Sequence, residues 1–427
     1  MKNSTPDEAT KAGIVRTAAA VLGGATTLFV GRTVGSSAFG AVGLAVAWGS
    51  FMGTFCSAGI GPTLVRFGAS IDEIGPRLRQ LTFIGAISAA LLSAAALALF
   101  SSFSSVLEPI LAGAVGACSV VISVSASRMV LFGRLIRQSV VCLVSAIASG
   151  IAAVAVSSLT TDPLAIAAVF TIVGTSALTI GLTANNPWNQ KRRPSKTSVP
   201  TAHAPVERVS ARDFRSFLRR SWITNLVQMA VYRSDSLILG AVASQSELGR
   251  YLLMQKAVEA LAMIVQTRAS HVLGEVVFED PISALRLTNE HGRIAFRTAL
   301  SLGVLGAIGF GIVAPTFFGA TFAQNRWWIA VLAIPSLILT SSSVLTSYFA
   351  ARGELRFGLQ ASTVGVVLTL PLYVLLVPRY GLRGACLASG WAYLLQAAYL
   401  YVAFRRRYRL LCASPRPRIQ ELGRRTF

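Results

Sequence analysis

Apolar residues run along this chain in blocks near 20 residues long, separated by short polar breaks. Twelve such blocks fall at roughly 12–31, 38–60, 80–101, 106–127, 138–159, 164–184, 221–243, 250–277, 294–315, 327–350, 357–377 and 381–404. A helix rises about 1.5 Å per residue, so each block is long enough to cross a hydrocarbon core of about 30 Å. The pattern predicts an all-α, polytopic membrane protein with about 12 transmembrane helices. Its main interruption, 185–220, is rich in Pro, Ser, Thr, Lys and Arg. The expected organisation is an N-terminal six-helix lobe (1–184), a flexible basic cytoplasmic linker (185–220), a C-terminal six-helix lobe (221–404) and a basic cytoplasmic tail (405–427). An even number of crossings in each half gives both halves one orientation, so pseudo-two-fold symmetry about the membrane normal should relate them. A sequence echo points the same way. Leu28-x-x-Gly31 followed by Ser37-x-x-Gly40 returns 209 residues later as Leu237-x-x-Gly240 followed by Ser246-x-x-Gly249. Each copy closes the first apolar block of a half and opens the second.

Composition agrees with a membrane chain. Hydrophobic residues make up 53% and charged ones 13%, where soluble proteins carry about 25% charged. No cleavable signal peptide is expected, because the first apolar block lacks a small-residue cleavage site. The net charge of +22 would suggest nucleic acid if it were clustered on a soluble face. Instead, all but five of the Lys and Arg outside the blocks fall on one side of the expected topology. The five are Arg32, Arg250, Arg326, Arg379 and Arg383. That asymmetry obeys the positive-inside rule, placing both termini in the cytoplasm, with attraction to membrane lipid headgroups as a secondary effect. Nucleic acid is not an expected partner. The five cysteines are scattered without metal-ligand spacing, so neither a metal site nor a disulfide framework is expected. A phosphate-cradling G-x-x-x-x-G-K-[ST] loop, HExxH and GxSxG are all missing. The expected outer loops are too short for a catalytic domain, so no enzyme activity and no cofactor are expected.

Ionisable groups within a span cost about 2.5–3.5 kcal/mol each at mid-span, so each asks for a reason. Most lie in the seventh and eighth spans. At about 100° per residue, Lys256, Glu259, Gln266, Thr267, Ser270 and His271 share an arc of about 140° on the eighth. Such a stripe either lines a water-filled cavity or joins helices through polar contacts. Lys256 and Glu259, three residues apart, can pair. On the seventh span Asn225, Gln228, Tyr232 and Asp235 lie within about 80°, with Arg233 on a different side. Asp235 is expected to pair with a base from another helix. Arg16 either snorkels to the interface or enters the cavity. Arg66 follows a Gly-Pro break and could bind phosphate bidentately. His271 can titrate near neutral pH. The substrate-binding candidates are therefore Arg16, Arg66, Arg233, Lys256, Gln228 and Tyr232, and the ion-coupling candidates Asp235, Glu259 and His271.

Three stretches carry a family resemblance. LFVGRTVGSSAFGAVGLAVAWGSFMGTFCSAGIGPTLVRFGA has an Arg-Gly turn before a glycine-rich second span. YRSDSLILGAVASQSELGRYLLMQKAVE places an acid before an apolar run, a glycine and Gly-x-Tyr. SYFAARGELRFGLQASTVGVVLTLPLYVLLVPRYGLRGACLASG joins a glycine-bearing turn to Pro-x-Tyr-Gly-Leu-x-Gly-Ala. Together they resemble the polysaccharide transporter, or O-antigen flippase-like, branch of the multidrug/oligosaccharidyl-lipid/polysaccharide exporter superfamily. The resemblance implies a flippase or exporter that moves a lipid-linked oligosaccharide or polysaccharide precursor, on a polyprenyl pyrophosphate carrier, by alternating access. It implies a bacterial or archaeal cytoplasmic membrane, an ion gradient or membrane potential as the drive, and polysaccharide polymerases and glycosyltransferases as partners. Lipid II flippases differ in carrying an Arg-Asp pair in the first span and more than 12 spans, so a peptidoglycan precursor is not the expected cargo. The alternative from the same superfamily is an ion-coupled multidrug antiporter, which would call for acids in the first lobe's cavity. Spans one to six hold none at mid-span; Glu108 and Asp162 sit at outer ends. A membrane enzyme of polysaccharide assembly is a further alternative.

Overall fold

The computed structural model describes residues 6–67, 71–100, 105–131, 134–184, 211–276, 280–319, 325–352, 354 and 356–413. The first half contains α1 (Pro6–Cys56), α2 (Ile60–Phe67), α3 (Ile71–Phe100), α4 (Leu107–Leu131), α5 (Leu135–Ser157) and α6 (Pro163–Ala184). The second contains α7 (Ala211–Val242), α8 (Gln245–Val276), α9 (Pro281–Phe318), α10 (Trp328–Ser341), α11 (Ser343–Ala351), α12 (Arg356–Tyr380) and α13 (Leu382–Ala413). Among the described residues nine segments are long and apolar enough to cross a membrane. The first of them, within α1, crosses twice, because the chain reverses at Gly35 with φ 80 and ψ 165. A side chain is strained at that positive φ, so glycine permits a turn with no intervening loop. α7 and α8 are 32 residues each and complete the 12 crossings, although their charges keep them out of an apolar count.

Several boundaries differ from expectation. The outer loop expected at Arg32–Ser37 is the single reversal at Gly35. The loop expected at Ser244–Gly249 is almost entirely the first turn of α8. α7 starts at Ala211, so the last ten residues of the expected linker are helix; residues 185–210 lie outside those described. In each case helical pairing of backbone groups continues past the point where apolar composition stops, because leaving those groups unpaired near hydrocarbon is costly.

The membrane as solvent explains the side-chain pattern. Large apolar residues such as Leu91, Leu99, Ile151, Leu305 and Val367 are more than 60% exposed, as lipid-facing positions should be. Polar residues inside spans satisfy themselves locally. Along α6, Thr171, Thr175, Thr179 and Thr183 each donate to the carbonyl four residues back, at 2.7–2.9 Å.

The two halves meet along α1, α7 and α8, and the meeting is reciprocal. A methyl group on Gly31 would strike the Leu253 side chain; one on Gly240 would strike that of Leu44. One on Gly40 would strike the carbonyl of Gln245 and stand 2.9 Å from Gly249 N; one on Gly249 would strike the carbonyl of Ser36 and stand 3.0 Å from Gly40 N. Gly31 with Gly240, Leu44 with Leu253, Gly40 with Gly249 and Ser36 with Gln245 are each 209 apart in number. Each contact therefore has its partner-swapped copy, the signature of a two-fold relation. The repeated glycines lie where the two lobes touch.

Candidate functional site

Near the middle of the bundle is a cavity of about 770 Å³. α1 contributes Ala20, Gly23, Gly24 and Thr27, and all remaining lining residues come from α7, α8 and α10 to α13. Among the described residues, α3 to α6 contribute none of its lining. Toward the Gly35 end it is sealed by the α1–α8 seam. A Cβ on Gly24 would come 2.8 Å from Ala260 Cβ, and the Gly31–Leu253 and Gly40–Gly249 contacts follow above. At that end the Ser36 and Ser246 hydroxyls lie 2.8 Å apart.

The charged core of the cavity is a two-base, one-acid cluster. Lys256 Nζ donates to Glu259 Oε2 at 2.6 Å, and Arg233 Nη1 stands 3.9 Å from Glu259 Oε1. Lys256 and Glu259 are 32% and 43% exposed while Arg233 is 16% exposed, so the pair borders open volume. The cluster leaves one formal positive charge in excess. The i,i+3 pairing expected from spacing is present.

Around this cluster the wall is rich in hydroxyls and amides. Ser336, Thr340, Ser343, Thr346 and Ser347 line it from α10 and α11, with Ser342 from the joint between them. Gln396 Nε2 donates to Ser362 Oγ at 3.1 Å, while Gln396 Oε1 is buried without a partner among the described residues. Tyr232 and Tyr393 place their rings 6.3 Å apart at the cavity edge. The hydroxyl run reads in the sequence as LTSSSVLTS, inside a span otherwise apolar. Its density of hydroxyls was the available signal, obscured because single Ser and Thr residues disappear into membrane helices by bonding their own backbone.

Gln228, Tyr232, Arg233, Lys256 and Glu259 all line the cavity, together with Gln266. Arg233 joins them despite its different helical face, because a long guanidinium side chain reaches around the helix. Asp235 does not. It is fully buried and accepts hydrogen bonds from Ser236 N at 2.5 Å, Ser236 Oγ at 3.0 Å and Tyr251 Oη at 2.5 Å. Tyr251 and Tyr373 both reach Ser389 Oγ, at 3.0 and 2.9 Å. The base expected to pair with Asp235 is thus replaced by hydroxyl donors. Its azimuth nearly matches that of Gln228, but it sits seven residues, about 10 Å, farther along α7 and past Arg233, the last described α7 residue on the cavity. Depth rather than face excludes it. A link remains: Gln255 lines the cavity, and its Oε1 lies 3.4 Å from Ser236 Oγ.

Arg16 is half-buried one turn before Ala20, outside the lining. Arg66 lies in α2, whose neighbours are α4 and the start of α7; a Cβ on Gly59, just before α2, would come 2.6 Å from Trp222 N. The side chains of Arg66 and His271 lie outside the described residues, as do those of Thr267 and Ser270.

The sequence family described as "Polysaccharide biosynthesis protein" matches residues 29–279. No curated protein matches the sequence. Several solved structures share the fold. The lipid II flippase MurJ in an inward closed conformation superposes with a TM-score of 0.65 at 14% identity, covering 92% of this chain and 87% of that one. An outward-facing multidrug resistance MATE family transporter of the MOP superfamily gives 0.66 at 14% identity, covering 95% and 96%. A MOP superfamily transporter from Pyrococcus furiosus, described by a binding pocket of reversed polarity, gives 0.64 at 14%, covering 95% and 96%. These likenesses establish a two-lobe, 12-helix fold.

Proposed function

Because this chain belongs to the polysaccharide biosynthesis protein family, we propose that it is a flippase or exporter that carries a lipid-linked oligosaccharide or polysaccharide precursor across the cytoplasmic membrane by alternating access. The observation that carries the reading is the cavity's chemistry. Arg233 and Lys256 outnumber Glu259, beside a wall of hydroxyls and amides. A diphosphate seeks cationic donors, with arginine suited to bidentate contact. Sugar hydroxyls seek side chains that both donate and accept, which Ser, Thr and Gln supply. Tyr232 and Tyr393 offer apolar ring surface to a pyranose face.

In this scheme Arg233, Lys256, Gln228 and Tyr232 hold cargo, and Arg16 and Arg66 attract its phosphates near the basic face. Asp235 and Glu259 are the coupling groups, with His271 farther along α8. Gln255 relays the state of the cavity to Asp235 through Ser236. Both termini face the cytoplasm. The multidrug alternative shares the fold, but the acid lining this cavity is already held by two bases, which disfavours a cationic cargo.

The test is leaflet distribution. In cells lacking the gene, lipid-linked saccharide should accumulate on the cytoplasmic leaflet, and a normal distribution would sink the reading. Arg66→Ala and Lys256→Ala, at wild-type membrane abundance, should each lower export. Full export in both removes their proposed anion-binding roles.

A further inference from the structure

A second cavity, of about 330 Å³, opens on the far side of the helices that wall the central one. Leu400 lines the central cavity and its neighbour Tyr401 the second; Thr346 and Leu345 divide in the same way. Its polar groups are Arg293, Arg297 and Asn289, all from α9. Both arginines are exposed, and no carboxylate is among the described lining residues. The nearest acid on that face of α9, Glu290, stands one turn before Arg293 and outside the lining; like charges one helical turn apart repel, so an anion in the groove relieves the arginine pair. Most of the remaining wall is aromatic: Phe296 meets Tyr401 edge to face at 5.9 Å, with Tyr401 fixed by a 2.9 Å hydrogen bond to Ser341.

Depth identifies which anion. Phe318 ends α9, 21 residues beyond Arg297, which is about 31 Å of helix. That distance matches a hydrocarbon core of about 30 Å, so the two guanidiniums stand at the headgroup boundary opposite the Phe318 end. Below them Leu300, Val304 and Ile308 are 42%, 40% and 45% exposed. At about 100° per residue, Arg293, Arg297 and these three share an arc of about 80°. A cationic head position thus continues into an apolar track pointing into the membrane.

We propose that this groove binds the phosphate of an anionic phospholipid from the leaflet on the basic face, with an acyl chain lying along Leu300, Val304 and Ile308. Soluble phosphate shares the headgroup chemistry but gains nothing from the track. The site is separate from the cargo cavity and needs no cargo to be measured.

The experiment is native mass spectrometry on the purified full-length protein with phosphatidylglycerol, with phosphatidylcholine of the same chains, and with inorganic phosphate. The parent should retain phosphatidylglycerol preferentially. Arg293→Gln with Arg297→Gln should weaken that retention roughly thirtyfold, at about fivefold per guanidinium near an anionic surface. Gly292→Leu keeps both charges and fills the groove, since a Cβ there meets only Leu345, at 3.7 Å; it should abolish the preference too. Arg286→Gln, on α9 but outside the lining, should leave the preference intact. The proposal is overturned if the double variant or Gly292→Leu binds like the parent. It is equally overturned if Arg286→Gln loses as much, which means diffuse attraction, or if millimolar phosphate displaces the lipid, which means a soluble-anion site.

Discussion

Replacing Gly249 by alanine would set a methyl group against the carbonyl of Ser36, with Gly40 N only 3.0 Å away. Backbone atoms cannot rotate aside, so relief requires α1 and α8 to part. Carbon-to-oxygen contacts settle at about 3.3–3.6 Å, so the crossing must open by roughly 1.5–2 Å. Overpacking of this kind costs about 1–3 kcal/mol. If the cost falls on the state with this end closed, the closed-to-open ratio drops by about 5- to 150-fold. Ser36 and Ser246, whose hydroxyls are 2.8 Å apart, provide the gauge. In a background without the native cysteines, Ser36→Cys with Ser246→Cys should oxidise to a crosslink readily, and Gly249→Ala should cut the yield steeply. Gly40→Ala should act alike, because its obstacle is the Gln245 carbonyl. Gly31→Ala should do less, since the Leu253 side-chain tip that it meets can move. Gly309→Ala, with nothing within 4 Å, is the control. Equal crosslinking in Gly249→Ala and Gly309→Ala would refute the reasoning.

Asp235→Ala should lower thermal stability in detergent by about 1–3 kcal/mol, because it removes the charged acceptor of the buried Tyr251 and Ser236 hydroxyls; an unchanged melting temperature would contradict the network. Lys256→Gln together with Glu259→Gln should fold well but lose export, whereas retained export would show the pair to be only a join between helices. Asp280 caps α9 through bonds to Ile282 N and Ser283 N at 3.0 and 3.1 Å, and its hydrogen bonds with Ser283, chiefly, hold its carboxyl below the ordinary 3.8. Its stabilisation is therefore complete above pH 3.8 and lost as pH falls through the lowered value. An acid-unfolding scan should show that component vanish in Asp280→Ala; a scan identical to the parent's would dismiss the cap.

The 12 crossings were legible because hydrocarbon imposes one length on every span, and even the polar α7 and α8 met it. The Gly31/Gly240 and Gly40/Gly249 repeat was legible as an echo, though its meaning needed three dimensions: a glycine at a lobe contact and one at a turn look alike in sequence. The Lys256–Glu259 pair followed from helical spacing alone. The partners of Asp235 did not, since Tyr251 lies 16 residues away, Ser236 is its neighbour, and neither carries the charge that an intramembrane acid seemed to demand. The wall of α10 and α11 was missed for a related reason: its hydroxyls sit in a run apolar enough to pass as ordinary span.

The uneven lining of the central cavity has a consequence for how labour divides between the halves. Cargo held by α7, α8 and α10 to α13 would travel as a passenger of the second lobe, while the first lobe, touching the cavity among its described residues only through α1, would serve as a shutter. Selectivity and speed then become separable traits. Changes of cargo preference should accumulate in the second half of the chain, whereas the first half can be retuned for pace without altering what is carried.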